Sequence, residues 1–340
     1  MRIVSKRDYL LKAIESASRE ALSAFGDQTV YLERKMQNPR HIEVQIFGDQ
    51  FDNVIHYNER ECSIQRRHQK IIEEAPGNGI DSKLREKIGV AAILAGKTTH
   101  YLGAGTVEFL MDDTGEFYFL EMNTRLQVEH PITELTVNKD LVREQIEVAC
   151  GKKLDIESFS DSPRSFFPRG HAIEARIYAE NPYQNFMPSP GLIQSLDIPH
   201  GPNIRFDGGV YQGFTVPSNY DPMIGKLIVW ANNRPLAIAK MQSALKEMRV
   251  RGIITNIDFL LSIVSHPDFQ KGRYTTHFIE QHPDLFENSS NISAELELAT
   301  VIGAAMFRHL KKENGNLAQS SHNDTSDPEI SRWRMAIRSN

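Results

Sequence analysis

The sequence predicts an α+β chain, and three observations carry that expectation. Short runs at residues 29–34, 41–47, 53–59 and 105–110 have the apolar or alternating character of strands. Segments between and beyond them place apolar residues at helical spacing. The turn Asp112-Asp113-Thr114-Gly115 then separates two apolar runs at a distance that suits a hairpin.

Taken in order, residues 6–25 set Leu10, Leu11, Ile14, Ala17, Ala21, Leu22 and Phe25 on one stripe, with Gly26 to close it, which predicts an amphipathic helix. Strands follow at 29–34, 41–47 and 53–59. In the second of these Ile42, Val44 and Ile46 alternate with polar residues, so one face is expected to be wet. Asp81 and Ser82 are both good N-caps for a helix running to about 101, before Gly103. Another helix is expected over 140–150, ended by Gly151. Residues 158–168, rich in Ser, Asp and Pro, read as a connector. Beyond it come strands at 170–180 and 223–230 and a turn cluster at 187–191. A helix with Pro235 in its first turn reaches about 249, and a shorter one covers 257–265. Residues 292–312 are helical in pattern, whereas 315–328 are polar and expected to be mobile. The implied organisation is a first domain over 1–150, a connector over 151–168, a second domain over 169–286, and a helix with a tail over 287–340. No internal repeat is visible.

The hairpin holds the densest chemistry. Phe117-Tyr118-Phe119-Leu120 is apolar and aromatic, and Glu121, Asn123, Arg125, Gln127, Glu129 and His130 follow within ten residues. On a strand Glu121 and Asn123 share a face, and Glu108 sits on the neighbouring run. Two carboxylates and an amide from adjacent strands suit a hard cation such as Mg²⁺. Arg125 just beyond offers a planar fork for an oxyanion. The plainer reading is a solvated strand end with its carboxylates in water.

Glu121-Met122-Asn123-Thr124-Arg125-Leu126-Gln127-Val128-Glu129-His130-Pro131-Ile132-Thr133-Glu134 resembles the metal-and-phosphate face of ATP-grasp enzymes, and among them the biotin carboxylase family. The resemblance runs from Met1 to about Leu285. It is supported by Glu59-Arg60-Glu61-Cys62-Ser63-Ile64-Gln65-Arg66-Arg67-His68-Gln69-Lys70 and by His171-Ala172-Ile173-Glu174-Ala175-Arg176-Ile177. Residues 187–191 and 220–227 also match family signatures and read as architectural. The implied fold is ATP-grasp, an antiparallel sheet flanked by helices, followed by a biotin carboxylase C-terminal α+β domain.

The resemblance also implies roles. Glu108 and Glu121 would bridge Mg²⁺ or Mn²⁺ to the ATP phosphates, with Asn123 adding a neutral oxygen. Lys70 and Arg125 would clamp bicarbonate, and Gln127 and the Val128 backbone would complete its cage. Glu129 would be the general base that deprotonates it, a role that depends on a suitably set pKa. A surface ion pair of Glu129 with Lys139 or Arg143 is the bland alternative. Glu33 and Arg34 would meet adenine, His41 the ribose, and Gln65 and His68 the nucleotide. Arg176 would face biotin and stabilise charge on its ureido oxygen, the alternative being a structural pair with Glu174 or Glu180. Cys62 reads as a buried small hydrophobe.

Composition sets the remaining bounds. The 340 residues carry a net charge of −5 and two cysteines, Cys62 and Cys150. The acidic balance and the lack of interleaved aromatics around residues 65–70 argue against a nucleic-acid partner. No apolar run approaches the ~20 residues of a membrane span. Without a disulfide framework or secretory leader the expected location is cytoplasmic. The family's Gly-rich phosphate loop would precede the segment matching Met1, so the chain is expected to be a truncated gene product, the result of a mis-called start, or one part of a split protein, with slow turnover or none. The expected partners are a biotin carboxyl carrier domain and a carboxyltransferase subunit, in a homodimer or larger assembly. Two alternatives stand beside this: a carbamoyl-phosphate-type ligase, which the Arg66–Lys70 and His171–Pro182 segments disfavour, and a non-catalytic assembly module.

Overall fold

The computed structural model describes residues 2–154, 168–287, 299 and 301–306. Met1–Phe286 form one compact unit, and Glu287–Asn340 a second, of which 299 and 301–306 are helical. The remainder of the tail and most of the expected connector lie outside the described residues.

Eight strands make one sheet: β1 (Arg40–Gly48), β2 (Val54–Arg66), β3 (Gln69–Ala75), β4 (Gly103–Met111), β5 (Phe117–Asn123), β6 (His171–Tyr178), β7 (Ile204–Gly208) and β8 (Met223–Ala231). Their spatial order is β7-β8-β6-β3-β2-β1-β4-β5, and every neighbouring pair is antiparallel. The pairing of β3 with β6 joins strands from before and after residues 155–167 into this sheet.

The sequence dictates the two faces. Ile42, Val44 and Ile46 pack with Val107, Phe109 and Met111 against α2 (Ser82–Thr98), whose first turn is capped by Asp81 accepting from the Leu84 N–H at 2.8 Å. On the second half of the sheet Ile173, Ala175, Ile177, Leu227 and Val229 pack against α5 (Arg234–Glu247) and α6 (Ile257–Ser265). Between these helices in sequence come α3 (His130–Val137) and α4 (Leu141–Ala149). Sequence pattern did not reveal α3, an eight-residue helix closed by Asn138 at φ 54°.

Three expectations are corrected. The polar face of β1 is not wet: His41, Glu43 and Gln45 are 6%, 0% and 0% exposed, because charged partners and α3 cover them. Residues 29–34 form no strand. The sheet ends at β5, no strand among the described residues pairs with them, and Glu33 and Arg34 lie exposed. The helix α1 (Leu10–Phe25) forms and ends at left-handed Gly26 as expected, yet buries none of its residues.

The basic run at 66–70 spans a hairpin. Arg67 and His68, at φ 48° and 69°, make the tight turn of the β2–β3 hairpin, the backbone twist that two-residue hairpins require.

Candidate active site

Register builds the site before any side chain is considered. Arg60 on β2 stands opposite Glu43 on β1, Glu43 opposite Glu108 on β4, and Glu108 opposite Glu121 on β5. Directly opposed residues share a face and lie about 5 Å apart at Cβ. One row of charges therefore crosses four strands on the face that α3 partly covers. A second row lies on β3, β6 and β8, where Glu73 opposes Glu174, and Arg176 opposes Lys226.

Lys70 joins the rows. Its ammonium donates to Glu129 at 2.6 Å, to Glu108 at 3.1 Å, and to Glu43. Glu129, 1% exposed at the start of α3, accepts a second cation from Arg176 at 3.0 Å, and Arg176 also donates to Glu73 at 2.6 Å. Glu129 is thus buried among cations and not set at the surface, and Arg176 meets Glu73 and Glu129. The general-base candidate is instead held between the bicarbonate-clamp candidate and the biotin-facing candidate.

Burial opposes the charge on Lys70, but Glu43 and the other carboxylates outweigh it and hold the ammonium firmly protonated. Burial likewise raises Glu43, yet Arg60 and Lys70 bring it down to about 2. Glu108 follows the same logic: burial raises it, but its hydrogen bond from His41 and the charge of Lys70 hold it far below the usual carboxylate range. Glu73 goes the other way. Burial outweighs its Arg176 partner, and the carboxyl is pushed up to about 7. Glu174, with burial first and Glu73 second, is raised well above its ordinary value.

At the hairpin, Asn123 donates to Glu108 at 3.0 Å and to Glu121 at 3.3 Å, so the three candidate metal ligands are within one side chain's reach. Their donor set is hard oxygen, which fits Mg²⁺ or Mn²⁺, provided the Asn123 amide turns its oxygen inward. Gln127 donates to Glu108 at 2.9 Å, while its oxygen accepts from Arg60 at 2.8 Å. The Val128 carbonyl accepts from Lys226.

His41 is more tightly placed than a loop histidine would be. Gln65 donates to its Nδ1 at 2.6 Å, which leaves Nε2–H to donate to Glu108 at 2.8 Å. Other candidates stay outside the cluster. Arg125 is exposed and donates to the Leu126 carbonyl at 3.3 Å. His68 is exposed at the hairpin turn, and Arg34 lies 5.8 Å from the Tyr118 ring centroid. Cys62 is fully buried, and burial ahead of the Glu43 charge pushes its thiol up, as suits an inert core residue.

Glu43, Arg60, Glu73, Glu174 and Lys226 are members of this cluster to which the sequence assigned no role. Strand parity was the available signal: Glu43 shares a face with His41 and Gln45, and Glu174 with Arg176.

Comparison with known proteins agrees with this geometry. Residues 1–157 match the family described as "Carbamoyl-phosphate synthase L chain, ATP binding domain", and residues 174–281 match "Biotin carboxylase C-terminal domain". The chain is 46% identical over 324 residues to the mitochondrial methylcrotonoyl-CoA carboxylase subunit alpha of Mus musculus, covering 95% of this chain and 44% of that protein. It is 47% identical over 281 residues to the biotin carboxylase of a Nostoc species, covering 83% of this chain and 62% of that protein. Among solved structures it is similar to the biotin carboxylase domain dimer of Hydrogenobacter thermophilus 2-oxoglutarate carboxylase, in complex with MgADP, ADP and bicarbonate. The TM-score is 0.78 at 41% identity, covering 85% of this chain and 63% of that one. The chain thus spans 44% to 63% of these relatives. An antiparallel sheet with flanking helices, one cluster that gathers Lys70, Glu129 and Arg176, and both domain matches place the chain in the biotin carboxylase family.

Proposed function

We propose that the chain carries out ATP- and bicarbonate-dependent carboxylation of biotin on a carrier domain, through carboxyphosphate, as the first half-reaction of an acyl-CoA carboxylase. The observation that carries this is the Lys70–Glu129–Arg176 contact chain, which sets a carboxylate between two cations where an oxyanion and a proton must both be handled. Support comes from the similar dimer that binds MgADP and bicarbonate.

In this reading Lys70, Gln127 and the Val128 backbone hold bicarbonate, with Arg125 swinging in from the surface. Glu129 takes the bicarbonate proton, so that the freed oxygen attacks the γ-phosphorus of ATP and ADP leaves. Carboxyphosphate then divides into CO₂ and phosphate. The released phosphate takes the proton of the biotin nitrogen, Arg176 stabilises the negative charge this leaves on the ureido oxygen, and the nitrogen attacks CO₂. Glu108, Glu121 and Asn123 would hold Mg²⁺ or Mn²⁺, which offsets phosphate charge. Glu33, Arg34, His41, Gln65 and His68 are the proposed nucleotide contacts. A carrier domain, a carboxyltransferase subunit and a second copy of the chain are the proposed partners.

The test is carboxybiotin formation by the purified chain from ATP, Mg²⁺, [¹⁴C]bicarbonate and free biotin, with Glu129→Gln as control. Labelled carboxybiotin that disappears in the control supports the proposal. Self-association with neither labelled product nor nucleotide affinity, alone or with the carrier domain, favours a non-catalytic assembly role instead.

A further inference from the structure

We propose that Arg60 is a positioning residue whose guanidinium decides which end of the Gln127 amide faces the bicarbonate cage. The inference rests on the function proposed above and deepens it.

Arg60 sits in the middle of β2 with its side chain wholly buried. Its Nε donates to Glu43 at 2.5 Å, and Nη1 to Gln45 at 2.8 Å and to Thr133 at 3.0 Å. Its Nη2 donates to Thr106 at 3.2 Å and to Gln127 at 2.8 Å. A guanidinium has five N–H donors and no acceptor, so all five are engaged. Because Arg60 can only donate, it can hold only the oxygen end of the Gln127 amide. The NH₂ end is thereby turned toward Glu108, 2.9 Å away, on the side where Lys70 lies. A bicarbonate oxyanion needs donors, so this is the productive orientation. Turned end for end, the amide would set its oxygen against the Glu108 carboxylate, acceptor facing acceptor.

The same guanidinium reaches two further members of the site. Arg60 and Lys70 take opposite oxygens of Glu43, so the position of Lys70 is referred back to Arg60. The Thr133 bond ties in the first turn of α3, which begins directly after Glu129. Nothing in Arg60 itself need touch substrate.

The experiment uses the full chain, labelled with ¹⁵N at the glutamine side chains, with the Gln127 signal identified by its loss in Gln127→Met. Arg60→Lys keeps the charge and removes the fork. The expected result is that solvent exchange of the Gln127 NH₂ speeds up at least about tenfold. Bicarbonate affinity in the presence of MgADP should fall about tenfold, as for one lost charge-assisted hydrogen bond, while MgADP affinity changes by less than about twofold. Unchanged Gln127 exchange in folded Arg60→Lys overturns the proposal. If Gln127 responds but the unsubstituted chain binds no bicarbonate, the positioning role stands and the proposed function falls. Should Arg60→Lys not fold, Thr106→Val combined with Thr133→Val loosens the guanidinium without removing its charge. It is judged by the same readouts.

Discussion

Glu73 and Glu174 stand directly opposite each other on β3 and β6, both 0% exposed, and neither oxygen of Glu174 has a hydrogen-bond partner among the described residues. Two like charges cannot share such a site. Burial and the neighbouring Glu73 keep the proton on Glu174 well above its ordinary value of 4.5. Above about pH 4.5 the unfolded chain releases this proton while the folded chain retains it, so stability falls as pH rises toward the raised value. Glu174→Gln mimics the protonated form and should flatten that fall. Thermal melts at pH 5 and pH 8 should show the variant gaining about 1–2 kcal/mol on the parent at the higher pH. An equal slope in both proteins would refute the retention of this proton by Glu174.

Lys70 is paired with three carboxylates at once: Glu43, Glu108 and Glu129. Lys70→Met leaves them facing one another, with a cost of about 3 kcal/mol in stability. The vacated space should also attract a divalent cation. Mn²⁺ affinity followed by electron paramagnetic resonance is expected to rise about tenfold. A fall in affinity would mean that Lys70 helps to hold the cation and does not compete with it.

Glu129, the proposed general base, has Lys70 and Arg176 on its two oxygens. Glu129→Gln should reduce bicarbonate-dependent ATP cleavage about 10²–10⁴-fold, the usual range for a general base. Nucleotide affinity by calorimetry should stay close to that of the parent. Loss of both together would point to collapse of the cluster and not to loss of a base.

At Gly48 an added Cβ would lie 1.9 Å from the Tyr101 carbonyl oxygen, a backbone atom that cannot swing away. Gly48→Ala is therefore expected to destabilise the chain by about 1–3 kcal/mol, read from urea unfolding. Activity per folded molecule should be unaffected, since Gly48 ends β1 at the opposite end of the strand from His41 and Glu43.

The hairpin chemistry was legible because strand parity and a short turn suffice to bring Glu108, Glu121 and Asn123 together. Lys70, Glu129 and Arg176 were legible only through the wording of their motifs. No local rule predicts that Glu129 meets Lys70 and Arg176, 59 and 47 positions away. Glu43 was misjudged for a definite reason. Alternation marks a polar face, but it cannot say whether water or a buried counter-charge meets that face, and here Arg60 and Lys70 do. Residues 29–34 show the converse failure, since strand propensity has no effect without a neighbouring strand to accept its hydrogen bonds.

The β3–β6 ladder has a consequence for dissection of the protein. Because a continuous hydrogen-bonded seam crosses from one matched family region to the other, separately expressed halves would each present a raw strand edge, β3 in one piece and β6 in the other. Such edges invite self-pairing and precipitation. Arg176 would also leave with one half, stranding Glu73 without its cation. The two regions should therefore be inherited, expressed and engineered as a single inseparable folding cassette, whatever is fused upstream or downstream.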